Sequence, residues 1–299
     1  MSEHLTHIAV YEDSARIILN TERFCDAFRK CIENHYDAGI ITSGSRGNHL
    51  FAIPILEQYK DHWDEVIKDP DSCTRIAGAL GWITHRAADL QMKPTWREKT
   101  AKDPSFPDSE MQVYHDAVTY AEVYSGGAVS TGSPFELITP HTLEDRMASQ
   151  PLARYLDVQK VEELVTFLYQ KDFVELHQFH KNCGDVGKWM DDLVEYHQEY
   201  TEDLRSYIEA FNNPDPEKME TYVYSINYFN SKDPLIRWVR GIQHGEDVSG
   251  IDLDQALENA KTQSQYAQAL LKAYVFLSAA NEFFMNRMDK DKVIEILDI

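Results

Sequence analysis

Cysteine is scarce and scattered. Only Cys25, Cys31, Cys73 and Cys183 occur, with no close CxxC pair. That spacing argues against a thiolate zinc knuckle and gives no sign of a disulfide framework, so the four are expected to be buried, reduced thiols. Glycine and proline are sparse as well, at 13 and 11 in 299 residues. With so few turn residues, and no sustained alternation of β-branched and polar side chains, helices joined by short turns are expected throughout. Positive charge is in deficit, 29 Lys and Arg against 50 Asp and Glu, for a formal net charge of −21. Nucleic-acid binding draws much of its affinity from cations that neutralise phosphates, so that role is disfavoured. No apolar run approaches the roughly 20 residues of a membrane-crossing helix. The start, Met1-Ser2-Glu3-His4, lacks the basic and apolar regions of a secretory signal, so a cytoplasmic location is expected. Walker, Rossmann and GxSxG patterns are missing too, which removes the usual nucleotide and serine-hydrolase readings.

What is present is helical periodicity. Patterns run over 4–34, 50–68, 72–92 and 109–125, then after Pro151 over 158–181, 186–211, 216–229, 234–243 and 253–286. The expected fold class is all-α, a multi-helix bundle. A Gly/Ser/Thr stretch, 125–134, interrupts the pattern and is the best loop or lid candidate. The chain is divided near residue 150: residues 1–150 as a helical metal-site region, and 151–299 as an acidic helical bundle, separate or packed as one domain with the first.

Histidine is concentrated in the first half, with His4, His7, His35, His49, His62, His85, His115 and His141 before residue 150 and four after it. On the helix from Ile76 to Met92, Ile76, Leu80, Ile83, Ala87 and Leu90 form one apolar stripe, and the opposite face carries Gly78, Gly81, Trp82, His85, Asp89 and Met92. A helix apolar nearly all round is buried, and a buried carboxylate must be paired, protonated or bound to a cation. His85 and Asp89, four residues apart, point the same way and can share a metal or a plain hydrogen bond. Met111, His115, Val118 and Glu122 line one face of the next helix, and His7 shares a face with Tyr11 and Ile18 on the first. Inward-facing imidazoles with acids on separate helices match the way bundles build metal sites.

The segment Ala79-Leu80-Gly81-Trp82-Ile83-Thr84-His85-Arg86-Ala87-Ala88-Asp89-Leu90, followed by Pro94, resembles the HxxxD helix of the bacterial zinc-dependent phospholipase C family and its relatives, the single-strand-specific zinc nucleases. His7 in Thr6-His7-Ile8-Ala9 resembles that family's early histidine, and His115 its later one. Gly44-Ser45-Arg46-Gly47-Asn48-His49-Leu50-Phe51 resembles the loop that usually presents an aspartate ligand, with His49 in the aspartate's place. The resemblance covers residues 4–125. It implies metal ligands at His7, His49, His85, Asp89 and His115, with Asp89 and Glu122 as the catalytic carboxylates and Glu122 as a further ligand or as the residue orienting His115. It implies one or two Zn2+ ions, or iron or another divalent metal in their place, and hydrolysis of a phosphoester. Net acidity favours a phospholipid head group or another small phosphoester as substrate. Thr95 and Trp96 stand where a further histidine is often found, so fewer metals than in the trinuclear members are expected.

Two other readings compete. An HD-type metal phosphohydrolase would use His115-Asp116 with His85 and Asp145. A helical interaction protein without enzymatic activity would keep the cluster as a vestigial or structural site. Glu175, His177, His180 and Asp185 form a third grouping, set among polar residues that suit a helix surface.

Overall fold

The computed structural model describes residues 4–44, 49–103, 108–125 and 214–298, with a few single positions between 185 and 210. Among the described residues there are twelve α-helices and no strand. They are α1 (His4–Leu19), α2 (Asp26–Asn34), α3 (Tyr36–Ser43), α4 (His49–Tyr59), α5 (Trp63–Val66), α6 (Pro70–Lys102), α7 (Asp108–Thr119), α8 (Pro216–Met219), α9 (Pro234–Gln243), α10 (Leu253–Ala260), α11 (Gln265–Phe284) and α12 (Lys290–Asp298). Short π-helical segments follow α7 (Tyr120–Ser125) and α8 (Glu220–Tyr224). The division near residue 150, the lid candidate beyond Ser125, and the patterns at 158–181 and over most of 186–211 lie outside the described residues.

Local chemistry explains where helices stop. The pattern over 4–34 breaks after Leu19, because the Asn20 amide and the Thr21 hydroxyl turn back to the carbonyls of Arg16 (2.9 Å) and Ile17 (2.8 Å). The pattern over 253–286 breaks before Ser264, whose hydroxyl accepts the Ala267 N–H as the N-cap of α11. Helix α6 begins with Asp69 accepting the Ser72 N–H and with Pro70 in its first turn, where a missing N–H costs nothing. It then runs for 33 residues, past Met92 and through the exposed Pro94.

Two helices form the axis of the bundle. Every residue of α1 from Leu5 to Ile18 is buried, and α6 packs against α1, α2, α3, α4 and α11. Helices on both sides of the undescribed stretch share one core: Leu235, Val239, Leu270 and Phe284 are buried together with Ile8, Phe28, Ile76 and Leu80.

Burying α1 all round takes its charges inside with it. Asp13, fully buried, accepts from Arg16 Nη1 (2.6 Å) and from the Tyr266 hydroxyl (2.8 Å), and forms an ion pair with Arg240. Arg240 also donates to the Val123 carbonyl (3.1 Å). Beside them Glu12 accepts the Tyr36 hydroxyl at 2.6 Å. A second chain of bonds links Thr6, Asp116, Thr119 and Tyr228. The first network ties α1 to helices α9 and α11, and the second ties it to Tyr228. Removing one member of a buried ion cluster strands the others without solvation, at a cost of about 3–5 kcal/mol. Asp13→Ala should therefore lower the urea-unfolding free energy by about that amount, whereas Asp254→Ala, which ends an exposed, solvent-screened pair with Arg23, should cost far less. Equal costs for the two would contradict this account.

Candidate metal centre

Helices α1 and α6 bring His7, His85 and Asp89 together; one ligand atom from each lies within 4.8 Å of the other two. His85 and Asp89 meet because they are one helical turn apart on α6. His7 meets them because α1 lies along the same face. The two imidazoles stack, with centroids 4.1 Å apart and planes 27° from parallel. Both turn Nε2 toward the carboxylate: His7 Nε2 is 3.1 Å from Asp89 Oδ1, and His85 Nε2 is 3.6 Å from Oδ2.

The orientation of His85 is set by backbone. Its Nδ1 lies 2.6 Å from the carbonyl oxygen of Ser43, at the end of α3. A carbonyl only accepts, so Nδ1 carries the hydrogen and Nε2 presents its lone pair. That contact depends on α3 crossing α6 very closely, which glycine permits. A Cβ at Gly81 would stand 2.1 Å from Thr42 Oγ1 and 2.3 Å from the Gly39 carbonyl, and one at Gly39 would overlap Tyr11 at 2.0 Å.

Electrostatics leaves the cluster short of positive charge between its atoms. Burial, reinforced by His7, pushes His85 down to about 4 against the opposing pull of Asp89, so its ring is neutral at pH 7. Burial alone would raise the Asp89 carboxyl, but the hydrogen bond from His7 outweighs it and holds the group well below the usual carboxylate range. A neutral imidazole lone pair thus faces an ionised carboxylate oxygen. His7 donates its Nε2 hydrogen to Oδ1, and an ion shared by the three groups would take that hydrogen's place. Two imidazoles and one carboxylate suit a divalent ion, and three protein ligands leave positions open for water or substrate. The Ser43 carbonyl supplies the outer hydrogen bond that metal-binding histidines require. The donor set therefore fits zinc chemically.

The remaining candidates are placed elsewhere. His115 is buried on α7, but its Nε2 donates to the Tyr222 carbonyl (2.8 Å) and its ring stacks on Tyr228 at 3.9 Å. It is not among the three grouped ligands, because α7 packs toward the π-helical segment after α8. Glu122 is exposed on the π-helical segment after α7, where the change of helical pitch carries it off the inward face. His49 opens α4, and its side chain lies outside the described residues, as do Asp145, Glu175, His177 and His180. Asp116 accepts both the N–H (2.9 Å) and the hydroxyl (3.0 Å) of Thr6, which turns the His115-Asp116 pair to packing contacts. Two participants escape sequence reading. The Ser43 carbonyl has no side-chain signature. Lys93, whose Nζ reaches Asp89 Oδ2, follows Asp89 by four residues, a spacing that would have revealed it.

The depressed pKa of His85 has a consequence for stability. As pH falls, the unfolded chain, with an ordinary histidine pKa of about 6.5, takes up the proton before the folded one does. The contribution from neutral His85 is therefore full above about pH 6.5 and is lost as pH falls toward about 4, up to about 3 kcal/mol in all. The Asp89 contribution is lost only at lower pH, below the ordinary carboxyl value of 3.8. Urea unfolding of chelator-treated protein should show this decline, and His85→Gln should flatten it; an unchanged slope in the variant would assign the effect to other groups.

Comparison of the chain with family models, with curated proteins and with solved structures gave no match, so the geometry of His7, His85 and Asp89 stands on its own.

Proposed function

We propose that the protein is a metal-dependent phosphoester hydrolase, with one divalent ion, zinc first among the candidates, held by His7, His85 and Asp89. The observation that carries this reading is the buried imidazole lone pair aimed at an ionised carboxylate, with a backbone carbonyl fixing the tautomer. When bound, the ion supplies a polarising charge for a phosphoryl oxygen and lowers the pKa of a coordinated water toward about 7. The chain's own part is to hold the ligands. Asp89 contributes the negative charge, His85 is kept neutral by burial, and His7 is anchored in a helix buried along its length. Small phosphoesters, a phospholipid head group among them, are the substrate class that the resemblance to zinc-dependent phospholipase C supports, and the cytoplasm is the expected location.

One observation favours a second reading. Lys93 already places an ammonium on Asp89, and a cluster neutralised in that way could serve packing alone in a helical interaction protein. The two readings part on metal content. Protein purified without chelator should hold one zinc per chain by elemental analysis. Asp89→Asn, which keeps the shape and removes the charge, should lose that zinc, and so should His85→Ala. Both should reduce hydrolysis of p-nitrophenyl phosphate and bis(p-nitrophenyl) phosphate to background. Zinc and hydrolysis that survive Asp89→Asn would leave the cluster as a core hydrogen-bond network.

A further inference from the structure

Solvent reaches the cluster from one end. Side-chain exposure rises from 1 % at His7 and 4 % at His85 to 12 % at Asp89 and 28 % at Lys93. The open end is therefore where Lys93 stands. Asp89 divides its oxygens: Oδ1 faces His7, while Oδ2 takes the Lys93 ammonium and lies 3.6 Å from His85. A carboxylate has about four lone-pair positions, so Lys93 can stay on Asp89 while the same group serves a cation held with the two imidazoles.

Charge then discriminates between substrates. A divalent ion, one carboxylate, one ammonium and two neutral imidazoles sum to two positive charges in a chain whose net charge is −21. A phosphate monoester, which carries about −1.5 to −2 near pH 7, balances that excess, and a singly charged phosphodiester leaves half of it uncompensated. Lysine binds phosphate as a point charge without needing a fixed planar geometry. We propose, resting on the metal reading above, that Lys93 and the metal ion together form an anion site at the open end of the cluster, and that this site selects phosphate monoesters over diesters.

The test compares zinc-loaded wild type with Lys93→Met and Lys93→Arg. Zinc content is read by elemental analysis, inorganic phosphate binding by titration calorimetry, and kcat/KM on p-nitrophenyl phosphate and bis(p-nitrophenyl) phosphate. Wild type should bind phosphate and prefer the monoester. Lys93→Met should keep its zinc, bind phosphate roughly 10- to 100-fold more weakly, and lose monoester kcat/KM by a similar factor with a smaller loss on the diester. Lys93→Arg should recover most of both. Unchanged phosphate affinity in Lys93→Met overturns the proposal, as does a wild type that prefers the diester or binds zinc but no phosphate. Loss of zinc from Lys93→Met also overturns it, because Lys93 would then only be holding Asp89. A wild type that binds no zinc overturns the metal reading itself.

A different pair of residues carries a second inference. Cys31 on α2 and Cys73 in the first turn of α6 are both buried, and their Sγ atoms are 3.1 Å apart. That is about 1 Å longer than a disulfide bond. We infer that this pair closes to a disulfide when the chain folds in the presence of oxidised glutathione. One thiolate attacks the glutathione disulfide and releases a glutathione thiol. The second then attacks the mixed disulfide and releases another, so two protons and two electrons pass from the cysteines to glutathione. The link would join α2 to the first turn of α6, the helix that carries His85 and Asp89. Refolding with oxidised glutathione should give a chain lighter by two hydrogens, a Cys31–Cys73 cross-linked peptide, and a Tm higher by roughly 5–10 °C than the reduced protein. Cys73→Ser should abolish all three. Recovery of four free thiols, or a cross-linked peptide that involves Cys25 or Cys183 instead, overturns the inference.

Discussion

The crossing of α3 over α6 is the contact on which the candidate site depends. Gly81 and Gly39 meet with no room for a Cβ on either, so the two backbones come closer than side chains ordinarily permit. At that distance the last carbonyls of α3 reach across to α6, and the one at Ser43 takes the Nδ1 hydrogen of His85. Everything downstream follows from where that hydrogen goes. With Nδ1 occupied, Nε2 has a lone pair to offer, and it is aimed at Asp89. A looser crossing would let the imidazole rotate, and the distinction between a ligand and an ordinary core histidine would disappear.

The second constraint is the burial of α1. A helix with no solvent face holds His7 rigidly against α6, but it also carries Glu12, Asp13 and Arg16 into the interior. The fold answers with partners from remote parts of the chain, Arg240 on α9, Tyr266 on α11 and Tyr36 on α3. Such partners contribute little net stability against an apolar core of equal volume, yet each becomes costly to remove alone. The helix that supplies one ligand is thus locked in place partly by Arg240 and Tyr266, more than 200 positions away. The helices after residue 214 are therefore part of what positions the site.

Charge is distributed in opposition to the whole. The chain is strongly acidic, with a formal net charge of −21, and its exposed pairs among the described residues, such as Arg23 with Asp254 and Lys290 with Glu57, are of the weakly stabilising kind. At the cluster the balance is local: one ionised carboxylate, an ammonium on one of its oxygens, and a His85 imidazole that burial keeps neutral. A site of this sort discriminates at short range, because the long-range field of the protein repels the anions that the site would bind.

Helix was legible in the sequence because periodicity is a local property: sparse Gly and Pro, and the spacing of Ile76, Leu80, Ile83 and Ala87, dictate it without reference to the rest of the chain. The pairing of His85 with Asp89 was legible for the same reason, since both stand on one helix, and Lys93 could have been read in the same way. The pattern placed His7 and His115 alike on apolar faces, and nothing local separates them. Packing did so, turning α1 toward Asp89 and α7 toward Tyr222 and Tyr228. Glu122 left the inward face because the helix changed pitch at Tyr120, and helix ends depend on contacts that a residue spacing does not contain. Contact between distant residues, and the tautomer set by a backbone oxygen 42 residues away, belong to the tertiary structure alone. Side-chain identity specifies what a group can bond to, whereas only the packed chain specifies which partner comes within reach.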